Sequence, residues 1–228
     1  MKRRISTFVF SFFAVAAVVL SANPAQAAPT VIDFEGLGDV TPVTSIAVPG
    51  NVVTFSIIHP TGAITPAYTA QVGGTTTAFA PNDRPAGLTT GTFLTDETQG
   101  PNLTGEYRME FAKPVSSLSL DLYDYRVDGG PSAGDQAILT VYSDDWTTAI
   151  GTAVFTIPAV NPVDGNIEHL SINLGTHSIM SADLTFTGAD VGTGIDNIAI
   201  STVPAPGALV LGAIGSSVIG WIRRRKAL

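Results

Sequence analysis

Carboxylates are the side chains best placed to do chemistry in this sequence. Asp33 and Glu35 in VIDFEGLG, and Asp196 with Asn197 in GIDNIAIS, lie near the two ends of a long acidic stretch, with Asp96 in TFLTDE between them. A hard cation such as Ca²⁺ takes roughly six to eight oxygens, several from carboxylates and the rest from groups such as backbone carbonyls. If the first and last strands of a sandwich lie side by side, Glu35 and Asp196 become the leading ligands for a structural Ca²⁺. Asp33, Asp96 and Asn197 are the less favoured candidates. DYRVDGGPSAGD adds Asp124, Asp128 and Asp135, but their spacing misses the D-x-D-x-D-G of an EF-hand and reads as a hairpin loop.

A second chemistry needs aromatic faces with polar groups beside them, the requirement for stacking a sugar ring. Tyr123 and Tyr125, at a strand end, and Trp146, in the turn SDDW, are the candidates. Catalysis has thinner support. His59, His169 and His177 occupy unrelated contexts, and no HExxH, GxSxG or Gly-rich phosphate loop occurs. Two of the many acids could face each other as in a glycosidase, but aromatics make up only 8% of the chain, few to line a sugar cleft. A non-enzyme is expected, with a glycosidase-like enzyme as a distant third reading.

These residues need a scaffold, and the pattern is that of strands. SSLSLDLYD places Leu118, Leu120 and Leu122 on one face and Ser117, Ser119 and Asp121 on the other. HLSINL and ADLTFTG repeat the period of two, while VVTFSII, YRMEF, AILTVYS, TAVFTI and IDNIAIS are short, β-rich runs separated by Gly, Pro, Asn and Asp clusters. Alternating strands with one wet face need a second sheet to cover the other. The expected fold is therefore all-β, an antiparallel, jelly-roll-like or lectin-like β-sandwich, with an immunoglobulin-type sandwich as second choice. The segment from 60 to 106 is read as long loops or an insertion, with only AYTAQV and TFLTD resembling strands.

Both ends differ from this body. Lys2, Arg3 and Arg4, the apolar run from Phe8 to Leu20, and Ala25-Gln26-Ala27 have the three parts of a secretory signal helix with its cleavage site. Signal peptidase is thus an expected partner, and residues 1–27 an expected leader. Residues 28–202 form one domain with four basic residues against nineteen acidic ones, a formal −15. Such a surface repels phosphate backbones, so no nucleic-acid partner is expected. With no cysteine in the chain, disulfides, thiolate metal sites and thiol catalysis are excluded, and stability must come from an apolar core.

From Val203 to Ile222 runs an apolar stretch closed by Arg223, Arg224, Arg225 and Lys226. Pro206 suits a first helical position, and a helix from there to Ile222 would be ~25 Å long, slightly short of a ~30 Å hydrocarbon core. The basic cluster should stay in the cytoplasm and the acidic body outside.

This proline motif, transmembrane helix and terminal arginine cluster, residues 203–228, resemble the PEP-CTERM sorting signal of Gram-negative bacteria. Val203-Pro204-Ala205-Pro206-Gly207 stands where that signal has Val-Pro-Glu-Pro, with Ala205 in place of the glutamate. The resemblance implies transient anchoring in the inner membrane, processing by an exosortase-type enzyme, and delivery to the cell surface or extracellular matrix. VIDFEGLG and GIDNIAIS also resemble the opening Asp-Phe-Glu and closing Ile-Asp-Asp of MAM-type jelly rolls and some carbohydrate-binding sandwiches, which implies a structural cation between those strands. The expected function is that of a non-enzymatic, exported surface or matrix protein. The alternative is a carbohydrate-binding module of the envelope or exopolysaccharide.

Overall fold

The computed structural model describes residues 28–59, 61–71, 91–95, 105–123, 133–144, 146–158, 167–175, 178–187, 194–202 and Gly215. The expected leader and the sorting residues Val203, Pro204, Ala205, Pro206, Gly207, Arg223, Arg224 and Arg225 lie outside that set, as do Asp96, Tyr125 and His177. Among the described residues no helix is long and apolar enough to cross a membrane.

The described body is built from antiparallel strands. In chain order they are β1 (Thr30–Ile32), β2 (Pro42–Val43), β3 (Ser45–Val48), β4 (Asn51–Ile58), β5 (Ile64–Thr65), β6 (Ala67–Gln71) and β7 (Thr92–Thr95). There follow β8 (Glu106–Tyr123), β9 (Gln136–Tyr142), β10 (Ala149–Thr156), β11 (Ile167–Asn173), β12 (Ile179–Phe186) and β13 (Gly194–Thr202).

The organising element is β8, whose 18 residues serve two layers. Its first part, Glu106–Phe111, pairs with β4 on one side and β12 on the other. Its last part, Ser117–Tyr123, pairs with β11 and β13. YRMEF and SSLSLDLYD, two strands by sequence pattern, are thus one strand that changes sheet.

The change occurs at Ala112-Lys113-Pro114, three exposed residues in a row. Pro114 has no N–H to give to a ladder, which favours a break in pairing there. The buried Asn51 side chain takes over: its Nδ2 donates to the Lys113 carbonyl and its Oδ1 accepts from the Lys113 N–H, each at 2.9 Å. One amide side chain therefore stands in for a backbone partner.

The first layer runs β10-β9-β12-β8-β4, with β3 and β5 on the far side of β4. The second runs β11-β8-β13-β7-β6-β2, and β1 also pairs with β13, Thr30–Ile32 against Ile198–Ile200. The first and last strands of the body are therefore neighbours. The two strand-like runs inside 60–106 are real strands of the second layer, paired with each other as β6 and β7.

One apolar core joins the inner faces. Phe55, Ile57, Tyr107, Met109, Leu139 and Leu184 come from the first layer, and Leu118, Leu120, Leu122, Leu170, Ile198 and Ile200 from the second. Phe34, just past β1, meets Phe55 edge-on at 5.9 Å between ring centroids. Each fully buried Leu or Ile contributes roughly 1.5–3 kcal/mol relative to exposure. This is how a chain without disulfides is held.

Candidate functional site

Strand parity sends two sets of polar side chains to the outer faces, one per layer. In the second layer the row His169, Asp121, Asp196 is in direct register across β11, β8 and β13. A bulge interrupts β13 after Asp196, where Asn197 sits at φ 48°. Asparagine tolerates that left-handed conformation better than most residues. The bulge aims two consecutive polar side chains, Asp196 and Asn197, to the same side.

The hydrogen bonds there form a chain. The His169 Nδ1 lies 2.8 Å from Asp121 Oδ1, and Asn197 Nδ2 donates to Asp121 Oδ2 at 2.9 Å and to the Tyr123 hydroxyl oxygen at 3.3 Å. Tyr123 in turn donates to Asp196 Oδ2 at 3.3 Å. Asp196 is only 5% exposed, and its Oδ1 has no hydrogen-bond partner among the described residues. Burial pushes its pKa up to about 6, with the like charges of Glu35 and Asp121 adding to the rise; bonds from the Asn197 N–H and Tyr123 oppose it. Burial, then Asp196 and Asp121, also raise the Tyr123 phenol. In β7 a second buried oxygen, Thr95 Oγ1, has no partner among the described residues.

Glu35 reaches this end of the sheet. Its Oε1 accepts from the Thr92 N–H at 3.4 Å and lies 3.4 Å from where a Cβ on Gly91 would stand. Glu35 and Asp196, expected together, are close enough for Glu35 to influence the Asp196 carboxyl; Asn197 belongs to the same cluster. Asp33 is exposed at the end of β1. Among the described residues no group of three or more Asp, Glu or His side chains converges closely enough to hold an ion by itself. The donor set is nonetheless all oxygen and includes a buried, unpartnered carboxylate oxygen, which suits a hard cation completed by backbone carbonyls.

Tyr123 is corrected as a sugar platform. Being at the same parity as Asp121, it lies on the outer face, but it is 4% exposed and its ring meets Phe93 edge-on at 5.3 Å. Its aromatic face is spent on packing. His59 is likewise committed, with Nε2 2.8 Å from Thr65 Oγ1.

Trp146 has a different setting, over the outer face of the first layer. One row there runs Ser56, Arg108, Asp183, Thr140, Thr152 across β4, β8, β12, β9 and β10. Four steps of ~4.8 Å make this polar strip ~19 Å wide. Trp146 is partly exposed and stacks against it: the Arg108 guanidinium lies 4.5 Å from the indole centroid, and the Tyr142 ring 5.6 Å away, tilted by 59°. Arg108 also pairs with Glu106 at 2.5 Å. Tyr142 donates to Asp183 Oδ2 at 2.8 Å. Asp183 is 8% exposed and its pKa is raised by burial, with the Tyr142 bond opposing; the Tyr142 phenol is raised to about 12, by burial first and then by Asp183.

Hydrogen bonds to Asp144 brace the turn that carries Trp146. Asp144 Oδ1 accepts from the Thr147 and Thr148 N–H groups at 3.2 and 3.0 Å, and its Oδ2 from their hydroxyls at 2.8 and 3.2 Å. These bonds lower the Asp144 pKa. Ser181 Oγ ties the Asp144 carbonyl to β12 at 2.7 Å. Trp146 itself sits at φ 69°, a conformation that costs a bulky residue roughly 1–3 kcal/mol and persists where the surroundings impose it. Arg108 and Tyr142 were not legible as partners of Trp146, nor Asp183 as the partner of Tyr142.

Fold and site define a two-layer antiparallel β-sandwich with a polar, aromatic-capped outer face on one layer and a buried acidic cluster on the other. No family model and no curated protein matches the chain. Among solved structures it is similar to the K2 cleaved adhesin domain of Lys-gingipain, at 10% identity and TM-score 0.41, covering 76% of this chain and 99% of that one. The K1 adhesin domain of Lys-gingipain from Porphyromonas gingivalis W83 gives 12% and 0.34, covering 77% and 98%. A carbohydrate-binding module that recognises mannan gives 10% and 0.37, covering 78% and 99%. Identities and scores this low transfer no ligand to the present chain.

Proposed function

We propose that this chain is a non-enzymatic, exported β-sandwich of a bacterial surface or extracellular matrix that binds carbohydrate on the outer face of its first layer. The carrying observation is Trp146, held in a left-handed conformation by a four-bonded Asp144 turn and displayed beside Arg108 and Tyr142. A rigid aromatic face with fixed polar neighbours is what sugar stacking requires, and its pre-organisation lowers the ordering cost of binding. Binding is favoured over turnover because the two acids of this face nearest Trp146 and Tyr142 are already engaged. Asp183 accepts from Tyr142 and Glu106 pairs with Arg108, whereas glycosidases keep two carboxyls free across the scissile bond. Trp146→Ala should abolish retention on matrix polysaccharide in affinity gels while leaving the melting temperature near that of the parent. Undiminished retention of the variant would refute this placement of the site.

Delivery rests on the two ends of the sequence. The N-terminal signal supports export, and the PEP-CTERM-like tail supports inner-membrane anchoring followed by exosortase-type processing to the cell surface or matrix. A structural Ca²⁺ is a further part of the reading, supported by the buried, unpartnered Asp196 Oδ1 beside Glu35. Asp196 and Glu35 would hold it, tying β13 to the loop after β1.

A further inference from the structure

We infer that the ligand of the first-layer face is an uncharged glycan, and that the carboxylates around Arg108 turn away polymers bearing uronate or sulfate. This rests on the carbohydrate reading above and concerns the charge of the ligand. An anionic sugar needs an unpaired cation to replace its lost hydration, usually an arginine presented as a fork. Among the described residues Arg108 is the basic one at the site; its Nε pairs with Glu106 at 2.5 Å and its guanidinium carbon lies 4.5 Å from the Trp146 ring centroid.

The rest of the charge on this face has the wrong sign for an anion. Glu106 and Glu110 flank Arg108 on β8 at the same parity, and Asp183 is its direct neighbour on β12. Three carboxyls against one guanidinium leave the patch negative, and it stays negative if the buried Asp183 holds a proton. The only other Lys or Arg among the described residues, Lys113, is at the bend where β8 leaves this layer. Besides these charges a ligand meets neutral groups: the hydroxyls of Ser56 and Thr152 along the strip and the indole of Trp146, the Thr140 hydroxyl being bonded to Asp183. Hydroxyl-to-hydroxyl hydrogen bonding with aromatic stacking is the recognition chemistry of an uncharged sugar chain.

The test is affinity electrophoresis of the exported domain in gels holding neutral polymers (mannan, glucan, galactan) or acidic ones (alginate, polygalacturonate), at low and high salt. At least one neutral polymer should retard the parent, with retardation changing less than about twofold across the salt range, since screening has little to act on. The acidic polymers should be at least about tenfold weaker, and Glu110→Lys should strengthen them at low salt while sparing the neutral ligand. Trp146→Gly should lose the retardation while keeping a cooperative melt close to the parent's, which separates lost binding from lost folding; glycine accepts the left-handed conformation without strain. Salt-sensitive binding of alginate or polygalacturonate by the parent, lost in Trp146→Gly, would overturn the charge inference and leave the carbohydrate site standing. Failure of every polymer to bind would overturn both.

Discussion

Replacing Asp196 by Asn should make the metal-free protein more stable at neutral pH and leave it nearly unchanged in acid. Burial, first among the causes, raises the pKa of this carboxyl from an ordinary 3.8 to about 6. A raised carboxyl binds its proton more tightly in the folded state. Its favourable contribution is therefore complete below the unfolded value and is lost as the pH climbs through about 6. Two pKa steps correspond to ~3 kcal/mol of cost for the ionised, folded protein at pH 8. For a domain of this size that is about 6–12 °C in melting temperature.

Asparagine keeps an oxygen to accept from Tyr123 but carries no charge. Other groups face the same carboxyl, namely Glu35, Asp121, Tyr123, Asn197 and, through Asp121, His169. Only the difference between variant and parent isolates Asp196. The assay is a melting series of both proteins from pH 4 to pH 8 in chelator, repeated with Ca²⁺. The variant should melt higher at pH 8 and within about 1 kcal/mol of the parent at pH 4. Ca²⁺ should raise the parent at pH 8 and leave the variant unmoved. A variant that melts lower by the same amount at every pH, with or without Ca²⁺, would show that Asp196 is not an uncompensated buried charge.

Two further outcomes follow from single features. Asn197→Gly should retain the β13 bulge, while Asn197→Ala should cost ~1–2 kcal/mol more for the left-handed backbone, read as the difference in denaturation midpoints. Full-length protein with a C-terminal epitope, made in cells that contain the processing enzyme, should lose the epitope as it reaches the surface; an epitope that persists on the mature form would leave a plain membrane anchor.

Much of the scaffold could be read from the chain. Leu118, Leu120 and Leu122 alternate with Ser117, Ser119 and Asp121, and the structure buries the first set at the centre of its core. The change of sheet within β8 was not readable, because it depends on Asn51 clasping Lys113 from 62 residues away. The same limit hid the burial of Tyr123. Its parity is that of an outward residue, but β7 sets Phe93 against it.

Alternation, end composition and charge come from neighbouring residues, so the sequence by itself determined that this is an acidic, cysteine-free, strand-built body between two apolar ends. Which outward side chains meet is a matter of register between distant strands. Only the tertiary structure decided that Arg108 lies under Trp146 and that Asp196 stands beside Asp121. The physical reason is that a one-residue slip in either ladder would leave the local pattern intact and send every one of those side chains to the opposite face.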